Sequence, residues 1–562
     1  VQQMQVLLHS MLLNSCGCIS IKLFQESLMN MHTQPGRTKL FLRLAIASVL
    51  ALALILPQAC LAQSETQPKS GHLLRVVYFI PTNREPQDMA IQRIKNYIKT
   101  IQHYYAMEMA RNGFYKPGTT EGKTFAYEAD ENGEPLVHIV RGKFTDVEYK
   151  DGPAQFGMVA EEVSKLFDTK KDTFIVWTEC CKIHPDSTIS GPSCLGAAGE
   201  APGGAGGMAI LGSDGFPFLD TALFEDTRPV DGLVFPELGP YPLKHGVSYG
   251  GFAGSTVGSY ASTCHGATGH ELGHAFNLPH VFTDDWAPKI GGDLMGRGNQ
   301  GFRGNFGNFP GEYAHILKEN CEMLNVFRVF NPGEALTDTE PPKQKADVVV
   351  EDPMSKARKK INIKMTASDS GSGLYKAFAI VIPPWATIKS APYNEKGIAE
   401  FSILPMDVPF EELKPKSYTL ELLSFDNQGN RTLMAVWVPV PDFIAQQCPA
   451  GNDWQDLPAG CWSKSGKMRA AISMTALDND VTLIPEVEVQ PVNKPFTGRP
   501  NFTGNPVEYK GEPVMGYVEM NLPDGAYHWQ YRIRRTDGKE SCWVSYSTCD
   551  PAATDFRIQN SK

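Results

Sequence analysis

Residues His265 to His280 read HGATGHELGHAFNLPH. Inside that stretch lies His270-Glu271-Leu272-Gly273-His274, and His280 follows six residues after the second histidine. Positions i and i+4 share one face of a helix, so His270 and His274 can hold one ion together. Glu271 stands beside the first of them, where its carboxylate can reach a water at the metal. His280 lies too far along to share that face, so the chain must turn after Phe276 to bring it back as a third ligand. Three protein ligands leave one coordination position open, which marks a catalytic rather than a structural zinc site. His265 falls off the ligand face and reads as a helix-start residue. Asp284 and Asp285 read as solvated loop.

The spacing resembles H-E-x-x-H-x-x-G-x-x-H, the signature of the metzincin metallopeptidases, at every position but one. Asn277 stands where the family has glycine. That glycine ends the active-site helix in a left-handed conformation, and asparagine is the side chain that tolerates it best. A second family feature, the methionine turn beneath the zinc, resembles Gly291-Gly292-Asp293-Leu294-Met295-Gly296, with Met295 as the structural methionine. Arg297 occupies the position where some members carry a tyrosine ligand, so none is expected. The resemblance implies an α/β catalytic domain with the zinc helix beneath a twisted sheet. It also implies Zn²⁺ on His270, His274 and His280, and Glu271 as general base in peptide hydrolysis. No subfamily is assigned. The rival expectation is an inactive metzincin-like adhesin or binding protein that works through its β modules.

The chain has 562 residues and a formal net charge of −10, with no strongly basic stretch, so a nucleic-acid partner is excluded. A protein or peptide substrate is the partner expected. Arg37 to Ala62 resembles a secretory signal: a basic start, an apolar run from Leu44 to Leu56 too short to span a bilayer, and small residues before Gln63. The expected order is an over-extended start (1–30), a signal peptide (31–62), a zinc peptidase domain (63–333), an immunoglobulin-like β-sandwich (334–445) and a fibronectin type III-like β domain (446–562). The protein is accordingly predicted to be secreted or extracytoplasmic, with no stable membrane insertion once the signal is removed. Secretion favours disulfides, and Cys448, Cys461, Cys542 and Cys549 are expected to pair within the last domain, in one of three connectivities.

Along the mature chain, LLRVVYFI at 73–80 and TFIVWT at 173–178 read as strands buried on both faces. Apolar residues at Ile94, Ile98, Ile101 and Tyr105 recur at helical spacing, and Ile91 falls in the same series, so 88–112 is predicted as an amphipathic helix. Phe156, Val159, Val163 and Leu166 mark a second. The Gly-rich stretch 191–215 holds Met208 to Leu211, which is either the sheet edge bordering the cleft or an ordinary flexible loop. Pro310 to Leu324 reads as a closing helix and 333–345 as a linker. Beyond Val348, short alternating strands between turns predict all-β structure. The linker predicts that residues 63–333 fold without the β modules.

Overall fold

The computed structural model describes residues 72–562 apart from 150–151, 192–193, 249–253, 282–291, 334–335, 352–359, 383–384, 405–416, 440–453, 456–460, 464–466, 546–553 and 559–562. The signal segment and the start before it, together with Asp284, Asp285, Cys448 and Cys549, lie outside the described residues. No described helix is long and apolar enough to cross a membrane.

The N-terminal half is built on a mixed five-stranded sheet. Strand β1 (Leu74–Ile80) pairs in parallel with β2 (Val137–Arg141) on one side and with β3 (Thr173–Thr178) on the other. The sheet ends in a strand of opposite direction, β4 (Cys194–Ala197), paired to β5 (Met208–Gly212), which itself runs parallel to β3. All residues of β1, β3 and β5 are buried. Alternation explains why their sequence does not alternate. Leu74, Val76, Tyr78 and Ile80 enter the core beneath the sheet, while Val77 and Phe79 meet Val159 and Val163 of helix α2 (Gly152–Ser164) on the opposite face. Helix α1 (Ala90–Arg111) packs Ile94, Ile98, Ile101 and Tyr105 into the first core, leaving Ile91 exposed. Leu166 is also exposed and lies beyond α2.

The sheet edge differs from the expectation. Met208–Gly212 is the penultimate strand, and Cys194–Ala197 covers it as the true edge. Nor is the Gly-rich stretch simply loop. A Cβ on Gly196 would strike the Glu271 carbonyl, and one on Gly207 would strike that of Ala275, so glycine lets the sheet lie against the helix that ends at Ala275.

The closing helix is shorter than predicted. Ala314–His315 pairs in parallel with Gly292–Asp293, and helix α4 starts only at Lys318, running to Val326. Pairing with the methionine turn competes successfully with the helical pattern of Tyr313, Ile316 and Leu317. Helix α3 (Val257–Ala275), which carries His265, His270 and His274, packs between the Arg297–Asn305 segment and the sheet.

Residues from Lys343 onward are all strand and turn among those described. Lys343–Glu351, Lys360–Ser368 and Ile398–Ile403 pair antiparallel in one sheet. Leu374–Ile382 is hydrogen-bonded on either side to Ala386–Pro392 and Ser417–Asp426 in another, with Arg431–Pro439 beyond. Their inward positions, among them Ile361, Ile363, Met365, Leu420 and Leu422, share one core. Two features tie segments that the sequence reads as separate. Val349–Glu351 pairs with Trp543–Ser545, so strands from both sides of residue 445 enter one sheet and one core. Phe378, Ile380, Leu423 and Phe425 of the first β module sit in the same core cluster as Phe276 and Phe327 of the N-terminal half. The linker is likewise held, since the amides of Thr337 and Asp338 donate to Gln428 Oε1 at 3.1 and 3.0 Å. Cys180, Cys181, Cys194, Cys264, Cys321 and Cys542 are free thiols, so Cys542 forms no disulfide here.

Candidate metal centre

Helix α3 begins with a capping box. Thr256 Oγ1 accepts from the Ser259 amide and the Ser259 hydroxyl from the Thr256 amide. The helix therefore starts eight residues before His265, which is an interior residue rather than a helix-start residue. His265 is fully buried among Tyr97, Phe224 and Phe302, and burial lowers its pKa to about 4. It is a core histidine away from the ligand face.

At its other end α3 stops as the sequence predicts, with Asn277 at φ 66°. The Asn277 amide donates to His274 O (2.9 Å) and the Leu278 amide to Gly273 O (3.0 Å), the paired bonds of a Schellman turn. The Asn277 side chain does more than tolerate the conformation. Buried, its Oδ1 accepts from the Gly199 amide (2.7 Å) and its Nδ2 donates to Gly204 O (2.9 Å). It bolts the segment after the edge strand to the end of the helix.

The turn brings the three predicted histidines together. Ligand atoms of His270, His274 and His280 all lie within 4.8 Å of one another, and His274 Nε2 stands 3.2 Å from His280 Nε2. The ring centroids are 4.6 to 5.2 Å apart. Backbone carbonyls orient two of the rings: Leu294 O takes His270 Nδ1–H (2.7 Å) and Leu278 O takes His274 Nδ1–H (2.8 Å). That tautomer leaves each Nε2 lone pair for an ion. Burial and the neighbouring imidazoles lower the pKa of His274 to about 3, and burial lowers that of His270 to about 4, so both are neutral at physiological pH. Three converging imidazoles, two of them with oriented outer nitrogens, fit a zinc-sized cation.

Beneath them lies Met295, fully buried, and a Cβ on Gly273 would collide with its sulfur. Asp293 fixes this turn by accepting from the amides of Met295 (2.7 Å) and Leu317. Glu271 faces the other side, toward the sheet edge. Cys194 donates its thiol to Glu271 Oε1 at 3.5 Å. Burial pushes the Glu271 carboxyl up to about 7, against the pull of the Cys194 thiol and the Gly196 amide.

Three participants went unread in the sequence: Cys194, the side chain of Asn277, and Trp385. Only Asn277 carried a signal, as a polar side chain where glycine suffices. Trp385 belongs to the first β module, yet its ring lies 5.7 Å from that of His274.

No family model matches the sequence, and no curated protein matches it. Among solved structures, wild-type OgpA from Akkermansia muciniphila aligns at 18% identity over 66% of this chain and 94% of that one, with a TM-score of 0.43. A catalytically inactive OgpA in complex with an O-glycopeptide (glycodrosocin) substrate aligns at 17% identity over 66% and 93%, also at 0.43. Fibronectin(III)-like modules of Clostridium thermocellum CbhA align at 13% identity over 38% and 95%, at 0.13. With TM-scores below one half, these likenesses establish neither fold nor activity for this chain.

Proposed function

We propose that the protein is a secreted, zinc-dependent endopeptidase. The observation that carries this reading is the convergence of His270, His274 and His280 within 4.8 Å, with Glu271 beside them at the sheet edge. When bound, zinc supplies Lewis acidity that brings the pKa of water to about 7. His270, His274 and His280 hold it, each through one imidazole nitrogen. Glu271 takes the proton of the attacking water at its carboxylate and passes it to the departing amine. Its upward-shifted carboxyl suits both roles near neutral pH. The Cys194 thiol holds Oε1 and keeps the carboxylate turned to the cleft. Cys194–Ala197, as the edge strand, receives an extended peptide by backbone hydrogen bonding, which orients the scissile bond with little demand on side chains. Met295 packs below and does no chemistry.

The test is cleavage of a diverse panel of plain peptides and O-glycopeptides by the chain from Gln63 to Lys562. Cleavage should cease on chelation and return on adding Zn²⁺ alone. Failure to cleave any peptide by a chain that holds stoichiometric zinc would favour the adhesin reading.

A further inference from the structure

The third ligand is not held by the catalytic half alone. The His280 amide donates to Trp385 O at 2.9 Å, and His280-Val281 pairs in parallel with Ala386-Thr387, the start of a strand in the first β module. One residue earlier, Pro279 O accepts from Asn320 Nδ2 (3.2 Å), and Asn320 Oδ1 accepts from the Thr387 hydroxyl (2.8 Å). Asn320 and Thr387 are both buried. The segment that delivers His280 is thus pinned by backbone and side chains of the β module.

Trp385 is the pivot of this contact. It adopts φ 69°, a left-handed conformation that a bulky side chain rarely takes and that persists only where its surroundings impose it. Its amide donates to Val381 O (2.9 Å) and its indole N–H to Glu421 Oε2 (3.2 Å), which fix backbone and ring. So fixed, the carbonyl points at the His280 amide and the ring lies 5.7 Å from His274 at 37°. One residue therefore bears on two of the three imidazoles.

We propose that Trp385 is a positioning residue of the metal centre and that the first β module is a working part of that centre. This rests on the reading of the three histidines as metal ligands. The carbonyl sets the depth of His280, and the indole face closes the side of His274 and fixes its ring plane. Outer-shell supports of this kind change metal affinity by about 10–100-fold when removed.

The experiment uses the chain from Gln63 to Lys562, stripped with chelator and reloaded. Zinc affinity is read by competition with a chromophoric chelator, and ligand geometry by the visible absorption of the Co²⁺-loaded protein. Trp385→Gly keeps the carbonyl, relieves the left-handed backbone and removes the ring together with its bond to Glu421. It should fold, bind zinc about tenfold or more weakly and shift the cobalt bands. Trp385→Phe keeps an aromatic face and should stay within about threefold of wild type. A Trp385→Gly protein that matches wild type in zinc affinity and in cobalt spectrum overturns the proposal. Should Trp385→Gly not fold, Trp385→Leu decides, since it keeps the bulk without the aromatic face: weaker zinc and shifted bands support the proposal, wild-type values overturn it. Wild type that binds neither Zn²⁺ nor Co²⁺ removes the metal centre itself, a failure distinct from an unaltered Trp385 variant.

Discussion

Asn277 combines two jobs at one position. Its backbone takes the left-handed turn that returns His280 to the other histidines, and its amide ties Gly199 and Gly204 to the helix end. The sequence predicts that Asn277→Gly is tolerated, because glycine meets the first requirement at no steric cost. The structure changes that prediction. Glycine would leave the buried Gly199 amide and Gly204 carbonyl without this partner, at about 1–3 kcal/mol for each unsatisfied group. Denaturant unfolding should therefore show Asn277→Gly destabilised by roughly 1–3 kcal/mol or more, with the zinc ligands still present. Wild-type stability would mean that the two groups find other partners. The grouping of the three histidines was legible because metal geometry demands a fixed spacing along one helix and one turn. Asn277's second job was not, because its partners lie 73 and 78 positions away in a stretch whose glycines give no register.

At the scale of elements, legibility followed burial. Strands β1 and β3 and helix α1 announce themselves because each buries an unbroken run or a periodic face. The segment 310–317 misled because its apolar spacing suits a helix, while the backbone at Gly292–Asp293 offers a competing strand partner. That turn depends on Asp293, whose fully buried carboxyl is pushed by burial up to about 7, against its two amide donors. Its folded pKa exceeds the unfolded value of about 3.9. Its contribution to stability is therefore complete below pH 4 and is lost as pH rises through 7, at up to about 1.4 kcal/mol per pH unit. Urea unfolding at pH 5 and pH 8 should show wild type losing more stability over that interval than Asp293→Asn, which cannot titrate. Equal losses would show that the amide donors, rather than burial, govern this carboxyl.

Across the whole molecule, the division at residue 333 is one of sequence composition more than of packing. A linker poor in apolar residues predicts an independent catalytic domain, but strand pairing at His280 and four apolar side chains of the β module cross it. Removing Phe378, Ile380, Leu423 and Phe425 withdraws burial worth roughly 1.5–3 kcal/mol for each side chain. A chain ending at Gly333 should accordingly be aggregation-prone or bind zinc weakly; a soluble truncation with full zinc affinity would restore the independent domain. Contacts between segments so distant carry no local signature, which is why neither composition nor periodicity disclosed them. The central claim concerns the chemistry these segments enclose, and Glu271→Ala tests it most directly. Zinc content and melting temperature should stay near wild type, because the three imidazoles remain, while peptide turnover falls by on the order of 10²–10⁴. Turnover equal to wild type in a Glu271→Ala protein that retains its zinc would contradict the account.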